Sequence, residues 1–143
     1  MTGDPKHGNS MICLDTTFLI DLWRNAGKKD HPTIKILETN RGVRFAVPSH
    51  GAGEFLEGAA YISKDRLKDA LVFLQMFTVG TAGLETAMHY ARIVSDLRSR
   101  SLLKGVSKAD MWIAAWALEH GCKLITRNAR HFENITGLQL GSY

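Results

Sequence analysis

The stretch Ser107–Gly121 constrains this chain more than any other. Ser107 with Asp110 three residues later has the form of a helix-capping pair, and Gly121 suits the position just past a helix end. Between them Met111–Leu118 is apolar at every position. A surface helix carries one apolar stripe, whereas a helix apolar all round must be covered on several sides. It is also far shorter than the roughly 18 apolar residues a bilayer span needs, and no longer apolar run exists, so no transmembrane segment is expected. The cover must come from other layers of the same chain.

Short apolar runs supply them. Met11-Ile12-Cys13-Leu14 stops abruptly at Asp15 and reads as a buried strand, followed by a helix bearing Phe18, Leu19, Leu22 and Trp23. Pro32 opens a second helix that runs to Asn40 on Ile34, Ile36 and Leu37. Arg44–Val47 is a second strand closed by Pro48, and Ser49–Ile62 a helix carrying Glu54 and Glu57. Lys64–Phe77 is expected to bury Leu67, Ala70, Leu71, Leu74 and Phe77, with Thr78-Val79 as a short third strand. A long helix is expected over Leu84–Leu103, with Leu84, Ala87, Met88, Ala91, Val94 and Leu97 on its inner side and Gly105 ending it. Lys123–Thr126 is a fourth strand, Asn128–Phe132 a short helix or turn, and Leu138–Leu140 an edge strand.

Strands that alternate with helices imply an α/β fold: a short parallel sheet of four to five strands flanked by helices. The length of 143 residues suits one domain, taken as 11–143 behind a polar, turn-rich leader at 1–10 that is native or appended, Met11 being an alternative start. A composition of 45% hydrophobic and 22% charged residues excludes a disordered chain. The net charge of +4 is compatible with a polyanionic partner without demanding one. Cys13 and Cys122 show no metal-binding spacing and read as two buried thiols in a reducing cytoplasm; nothing at the start has the form of a secretory signal.

In parallel sheets ligands gather at the carboxyl ends of the strands. Asp15 ends the first strand, Glu54 lies early in the helix after the second, and Asp110 stands in the first turn of the all-apolar helix. Such a fold can bring all three acids to one mouth. Clustered carboxylates repel, and a hard divalent cation relieves the repulsion while activating water and phosphoryl groups. Taken singly, each acid also has a structural reading: Asp15 as a helix cap, Asp110 as a capping acid, Glu54 as a solvated helix residue. Spacing alone leaves both readings open.

Four segments go further. LDTTFLIDL at 14–22, EFLEG at 54–58, ADMWIAAWALEHG at 109–121 and LITRNARHF at 124–132 closely resemble the PIN-domain family, and within it the VapC-type toxin ribonucleases of toxin–antitoxin pairs. The resemblance covers nearly the whole chain from Met11, with the motifs in order. It implies a three-layer fold and a Mg²⁺- or Mn²⁺-dependent endoribonuclease that cuts RNA phosphodiesters with metal-activated water, leaving 5′-phosphate and 3′-hydroxyl ends. Asp15 would be the central metal ligand, Asp110 would hold the same ion directly or through water, and Glu54 would orient the water. Thr17 and Thr126 would support the acids. The resemblance also implies a homodimer, a cytoplasmic location, and silencing by a cognate antitoxin whose tail enters the mouth.

One departure stands out. The family commonly has a fourth acid after the fourth strand, where this chain offers Asn128 and His131. Asn128 is counted with the catalytic set as a neutral oxygen donor, and the missing charge should weaken a second ion most. A one-ion site before RNA binds is therefore expected. His131 reads as a surface residue beside Phe132, with metal ligation or proton donation as the alternative; Glu57 is an outer acid or an exposed one. Arg127 and Arg130 are candidate RNA contacts at the mouth, while Arg98, Arg100 and Lys104 read as a solvated face. Trp112 and Trp116 read as core, Trp23 and Tyr61 as core or as a groove for a partner helix, and His7, His50, His89 and His120 form no ligand spacing.

Two rival readings remain at this point. The missing acid leaves open a PIN-fold module that binds RNA or antitoxin with weakened cleavage. A nucleotide-binding α/β domain fits less well, because no glycine-rich phosphate loop follows any strand.

Overall fold

In the computed structural model, which describes residues 11–143, five strands and six α-helices alternate along the chain. They are β1 (Met11–Leu14), α1 (Thr16–Arg24), α2 (Pro32–Thr39), β2 (Arg44–Pro48), α3 (Ser49–Ile62), α4 (Lys64–Leu74), β3 (Thr78–Gly80), α5 (Leu84–Ser99), α6 (Lys108–His120), β4 (Lys123–Thr126) and β5 (Leu140–Ser142), with a 3₁₀ turn at Ala129–His131. The expected leader at 1–10 lies outside the described residues. No helix among them is long and apolar enough to cross a membrane.

All pairings are parallel, in the order β3-β2-β1-β4-β5, so the first strand is the middle one. Adjacent residues on a strand point to opposite faces. Cys13, Ala46 and Leu124 accordingly enter one core with Ile93 and Leu97 of α5 and with Met111 and Ile113–Ala117 of α6. Leu14, Val47 and Ile125 enter the other, with Phe18, Leu19 and Leu22 of α1, Phe55 of α3 and Ala70 and Leu74 of α4. A sheet covered on both faces explains why its central strands are continuous apolar runs. Cys13 and Cys122 are both free thiols in the first core.

Helix α6 is the long axis of that core. Ser107 caps it by accepting the Asp110 N–H at 3.3 Å, and Gly121 ends it in the left-handed region at φ +61°. Its alanines at 114, 115 and 117 are fully buried and leave room for close packing. The most demanding contact is with Gly80: a Cβ there would sit 2.2 Å from Trp116 Cζ2. Trp116 also donates its indole N–H to the Thr81 carbonyl at 3.1 Å, which locks the ring over that strand end.

Several expected boundaries move. Helix α5 stops at Ser99 rather than Leu103, because Ser101 turns left-handed at φ +58° and the Leu102 N–H closes back on the Leu97 carbonyl at 2.8 Å. This is the stop glycine usually makes, so Gly105 drew the expectation too far. Helix α4 ends at Leu74, short of Phe77, and β5 begins at Leu140, two residues beyond the start expected for it. The inner faces also differ. Leu71, Leu84 and Met88 are exposed, and α5 instead buries Thr86, Ile93 and Leu97. Thr86 is what apolar periodicity missed: its hydroxyl accepts the Gly83 N–H at 3.1 Å and donates to Glu119 of α6 at 2.5 Å.

Replacing Gly80 with alanine should force the Trp116 indole out of its place. The expected loss is about 1–3 kcal/mol of stability, read as a lower urea midpoint at unchanged slope.

Candidate active site

Strand β1 delivers Asp15 to the carboxyl end of the sheet, where the chain turns into α1. The residue is 3% exposed, and its carboxylate is held from three directions. Oδ1 accepts the Phe18 N–H at 2.9 Å and the Thr17 hydroxyl at 2.8 Å, while Oδ2 accepts the Thr126 hydroxyl from the end of β4. Asp15 is thus a helix cap and a mouth residue at once. Thr126 is fully buried and, besides donating to Asp15, accepts the Asn128 N–H at 2.9 Å, which fixes the turn after β4.

Glu54 projects from α3 and takes the Thr16 hydroxyl at 2.8 Å, so α1 orients it. Gly51 lies beside this contact, where a Cβ would be at ordinary van der Waals distance from Ile113 Cδ1 (3.4 Å) and Thr16 Oγ1 (3.5 Å). Asp110, in the first turn of α6, is mostly buried, and its Oδ2 lies 3.3 Å from His131 Nδ1. His131 is exposed, as a surface residue would be, yet its ring points at an acid of the mouth. Glu57 is exposed and shares an open hollow with Glu54.

The acids feel one another. Burial pushes the Asp110 carboxyl up, the charges of Glu54 and Asp15 push it further, and His131 opposes both. Burial also raises Asp15, against the hydrogen bonds from Thr126, Phe18 and Thr17 and the field of Arg127. Three carboxylates therefore share one mouth at a net electrostatic cost. Among the described residues no three His, Cys, Asp or Glu side chains form a ready cage for an ion. A Mg²⁺-like ion needs none, since it keeps several waters and commonly takes one or two carboxylates. The three acids Asp15, Glu54 and Asp110 offer only oxygen donors, which suits a hard cation.

Asp21 is the residue that sequence reasoning missed. It is 8% exposed on α1 and accepts two contacts from Arg127 Nη1, at 2.9 and 3.0 Å, and the Tyr143 hydroxyl at 2.7 Å. Burial and the neighbouring Asp21 push the Tyr143 phenol up, so it stays a donor. The signal was available: a carboxylate between Phe18, Leu19, Leu22 and Trp23 needs a cation, and Arg127 is the one that reaches it. Arg127 is thereby committed to Asp21. Arg130, in contrast, has no ion-pair partner among the described residues and lines a cleft of about 340 Å³ with Lys104, Ser107 and His131. Arg100 is tied to Asp96 and to the Asn134 carbonyl, both at 2.5 Å.

A three-layer α/β domain with carboxylates gathered at the carboxyl ends of its strands defines a recognisable class. The chain belongs to the PIN domain family, whose pattern it matches over residues 12–138. It is similar to Ribonuclease VapC1 of Rickettsia felis, at 40% identity over 65 residues, 46% of this chain and 47% of that protein. The matched part thus spans about half the length of that relative. Ribonuclease VapC1 of Methanocaldococcus jannaschii is 27% identical over 135 residues, covering 94% of this chain and 88% of that one. Among solved structures, DNA-bound VapBC from Salmonella typhimurium has a chain that superposes with a TM-score of 0.81 at 24% identity, over 92% of this chain and 97% of that one. VapBC-1 from nontypeable Haemophilus influenzae gives 0.77 at 23% identity, over 92% and 97%.

The raised Asp110 carboxyl makes a pH prediction. Its proton is held more tightly in the folded than in the unfolded chain, so ionisation costs stability once pH rises above the ordinary carboxylate range. Without divalent ions, Asp110→Asn should therefore melt higher than the parent at pH 7. That advantage should shrink as pH falls toward 4, as thermal unfolding across the range will show.

Proposed function

We propose that the chain is a divalent-metal-dependent endoribonuclease, the toxin half of a toxin–antitoxin pair. The observation that carries this reading is the convergence of Asp15, Glu54 and Asp110 on one mouth, close enough for the charges of the first two to raise the third. The names of its relatives, which are ribonucleases, support the same chemistry.

When bound, Mg²⁺ or Mn²⁺ supplies Lewis acidity toward a phosphoryl oxygen and lowers the pKa of coordinated water. Asp15 and Asp110 would hold the ion, and Glu54, held by Thr16, would orient the attacking water. Thr17 and Thr126 keep the Asp15 carboxylate from rotating, so little reorganisation is left for the moment of reaction. Asn128 adds a neutral oxygen where a fourth acid is commonly found, which favours one ion before RNA arrives. Arg130 and Lys104 line the cleft beside Asp110 and would receive RNA phosphates, whereas Arg127 serves mainly to hold Asp21.

The antitoxin partner has a place in this reading. A groove of about 150 Å³ runs along Ile20, Trp23, Phe55, Ala59 and Ile62 and is bordered by Glu54. Trp23 stacks on Phe73 and lies under the Arg66 guanidinium, 3.9 Å from the ring centre, which suits the apolar face of a helix with an acidic flank. Tyr61 is 92% exposed and stands apart from the groove lining. A homodimer in the cytoplasm belongs to the same proposal, and Leu71, Val72, Met76, Val79, Leu84 and Met88 are exposed apolar residues open to a second copy. The missing acid at Asn128 favours a second reading, a binding module with weakened cleavage.

Incubating the protein with a structured RNA pool and Mg²⁺, Mn²⁺ or EDTA separates the two. Cleavage should appear with metal, stop with EDTA, and fall at least about 100-fold in Asp15→Asn, Glu54→Gln and Asp110→Asn. A parent protein that binds RNA without cutting it under any metal would leave the binding module. Asn128→Asp should lower the Mn²⁺ concentration needed for half-maximal cutting. Separately, Arg130→Ala should weaken RNA binding evenly across sequences and reduce the salt slope by about 0.7, as loss of one phosphate contact to a single strand does.

A further inference from the structure

Three aromatic rings from three helices form a ladder beside the acids. Tyr90 of α5 lies against Trp112 of α6 with centroids 4.2 Å apart and planes within 14°. On the other side His50 of α3 stacks on Trp112 at 4.8 Å, with planes only 3° from parallel. The inner two rings pack helices together. The outer ring has a different setting, because His50 is partly exposed and lines an open hollow of about 440 Å³ with Ser49, Gly53, Glu54, Glu57 and Ala109. One of these is an acid of the mouth, and Ala109 is the chain neighbour of another.

Among the described residues neither ring nitrogen of His50 has a hydrogen-bond partner. The ring stacks on Trp112, and its partly exposed remainder borders the hollow. A flat π-surface beside a phosphate-handling site suits a nucleobase, which stacks on aromatic side chains whatever its hydrogen-bonding edge. The basic cleft of Lys104 and Arg130 lies nearby along the chain that leads into α6: Ser107 borders that cleft and Ala109 borders the hollow.

We propose that the outer ring of the His50–Trp112–Tyr90 ladder is a base-stacking platform for single-stranded RNA. It positions a nucleotide next to the phosphate presented to Asp15, Glu54 and Asp110. The inference rests on the ribonuclease reading and adds to it a specificity-determining contact. Unstacked, single-stranded segments would be preferred over continuous duplex, because only a base free of its partner strand can lie on the ring.

The test uses single-stranded RNA oligonucleotides carrying one 2-aminopurine at successive positions, titrated in EDTA so that binding is read without cleavage. One position should lose fluorescence on binding the parent protein as the base stacks. His50→Ala should abolish that quenching and raise Kd about tenfold, within the range of one lost base–aromatic stack. His50→Phe should restore both, and His50→Leu, which fills the space without a π-face, should behave like alanine. Unchanged quenching and affinity in His50→Ala, with the parent still binding and cutting RNA, would overturn the platform alone. So would leucine rescuing as well as phenylalanine, since that reduces the contact to packing. A parent protein that neither binds nor cuts any RNA would overturn the ribonuclease reading and the platform with it.

Discussion

Both oxygens of the Asp15 carboxylate are engaged within the protein, Oδ1 by the Thr17 hydroxyl and the Phe18 N–H, Oδ2 by the hydroxyl of Thr126. These bonds join the start of α1 to the end of β4, two points 111 residues apart in the chain. Because the carboxylate is buried, its charge would be costly without them. Of the four lone-pair sites of the carboxylate, the three bonds leave one free, on Oδ2. A structural cap and a site acid are here one residue, so the two readings of Asp15 are not rivals. Thr126 extends the connection by accepting the Asn128 N–H, which places the turn carrying Asn128, Arg130 and His131.

The fold was legible where burial dictates composition. Met11–Leu14, Lys123–Thr126 and Met111–Leu118 are apolar because both faces of the sheet and most of α6 are covered, and their boundaries came within a residue or two. Legibility failed where polar groups pack. Thr86 is buried by its bonds to Gly83 and Glu119, and Ser101 adopts the left-handed turn usually given to glycine; neither leaves a mark in apolar periodicity. Of the candidate site, the three acids could be named from strand ends and from the family resemblance. Thr17 and Thr126, which hold Asp15, came with the resemblance, whereas Thr16 on Glu54 and His131 beside Asp110 depend on tertiary placement and could not be named.

Charge is distributed with the same economy. The chain carries four net positive charges, yet the residues at its mouth are acids, and the charges of Glu54 and Asp15 push the Asp110 carboxyl up. Cations close to them are mostly assigned: Arg127 to Asp21, and Arg100 to Asp96. Lys104 and Arg130 stay open to solvent in the neighbouring cleft. A polyanion approaching this face meets attraction beside the mouth and repulsion inside it until a cation bridges the acids. A cation held by the acids would relieve that repulsion through the local field alone, without any movement of the backbone.

The position of β1 at the centre of the sheet has a consequence for the order of events on the ribosome. The strand that emerges first has β2 as one neighbour, available early, and β4 as the other, more than a hundred residues later. Until β4 emerges, Asp15 lacks Thr126 and one edge of β1 is unpaired. A nascent chain stopped before residue 110 carries Asp15 and Glu54 without the third acid and without α6 to cover the sheet. Assembly of the acid cluster therefore waits for α6 and β4, and a product truncated before them is left with exposed apolar strands instead of a finished mouth.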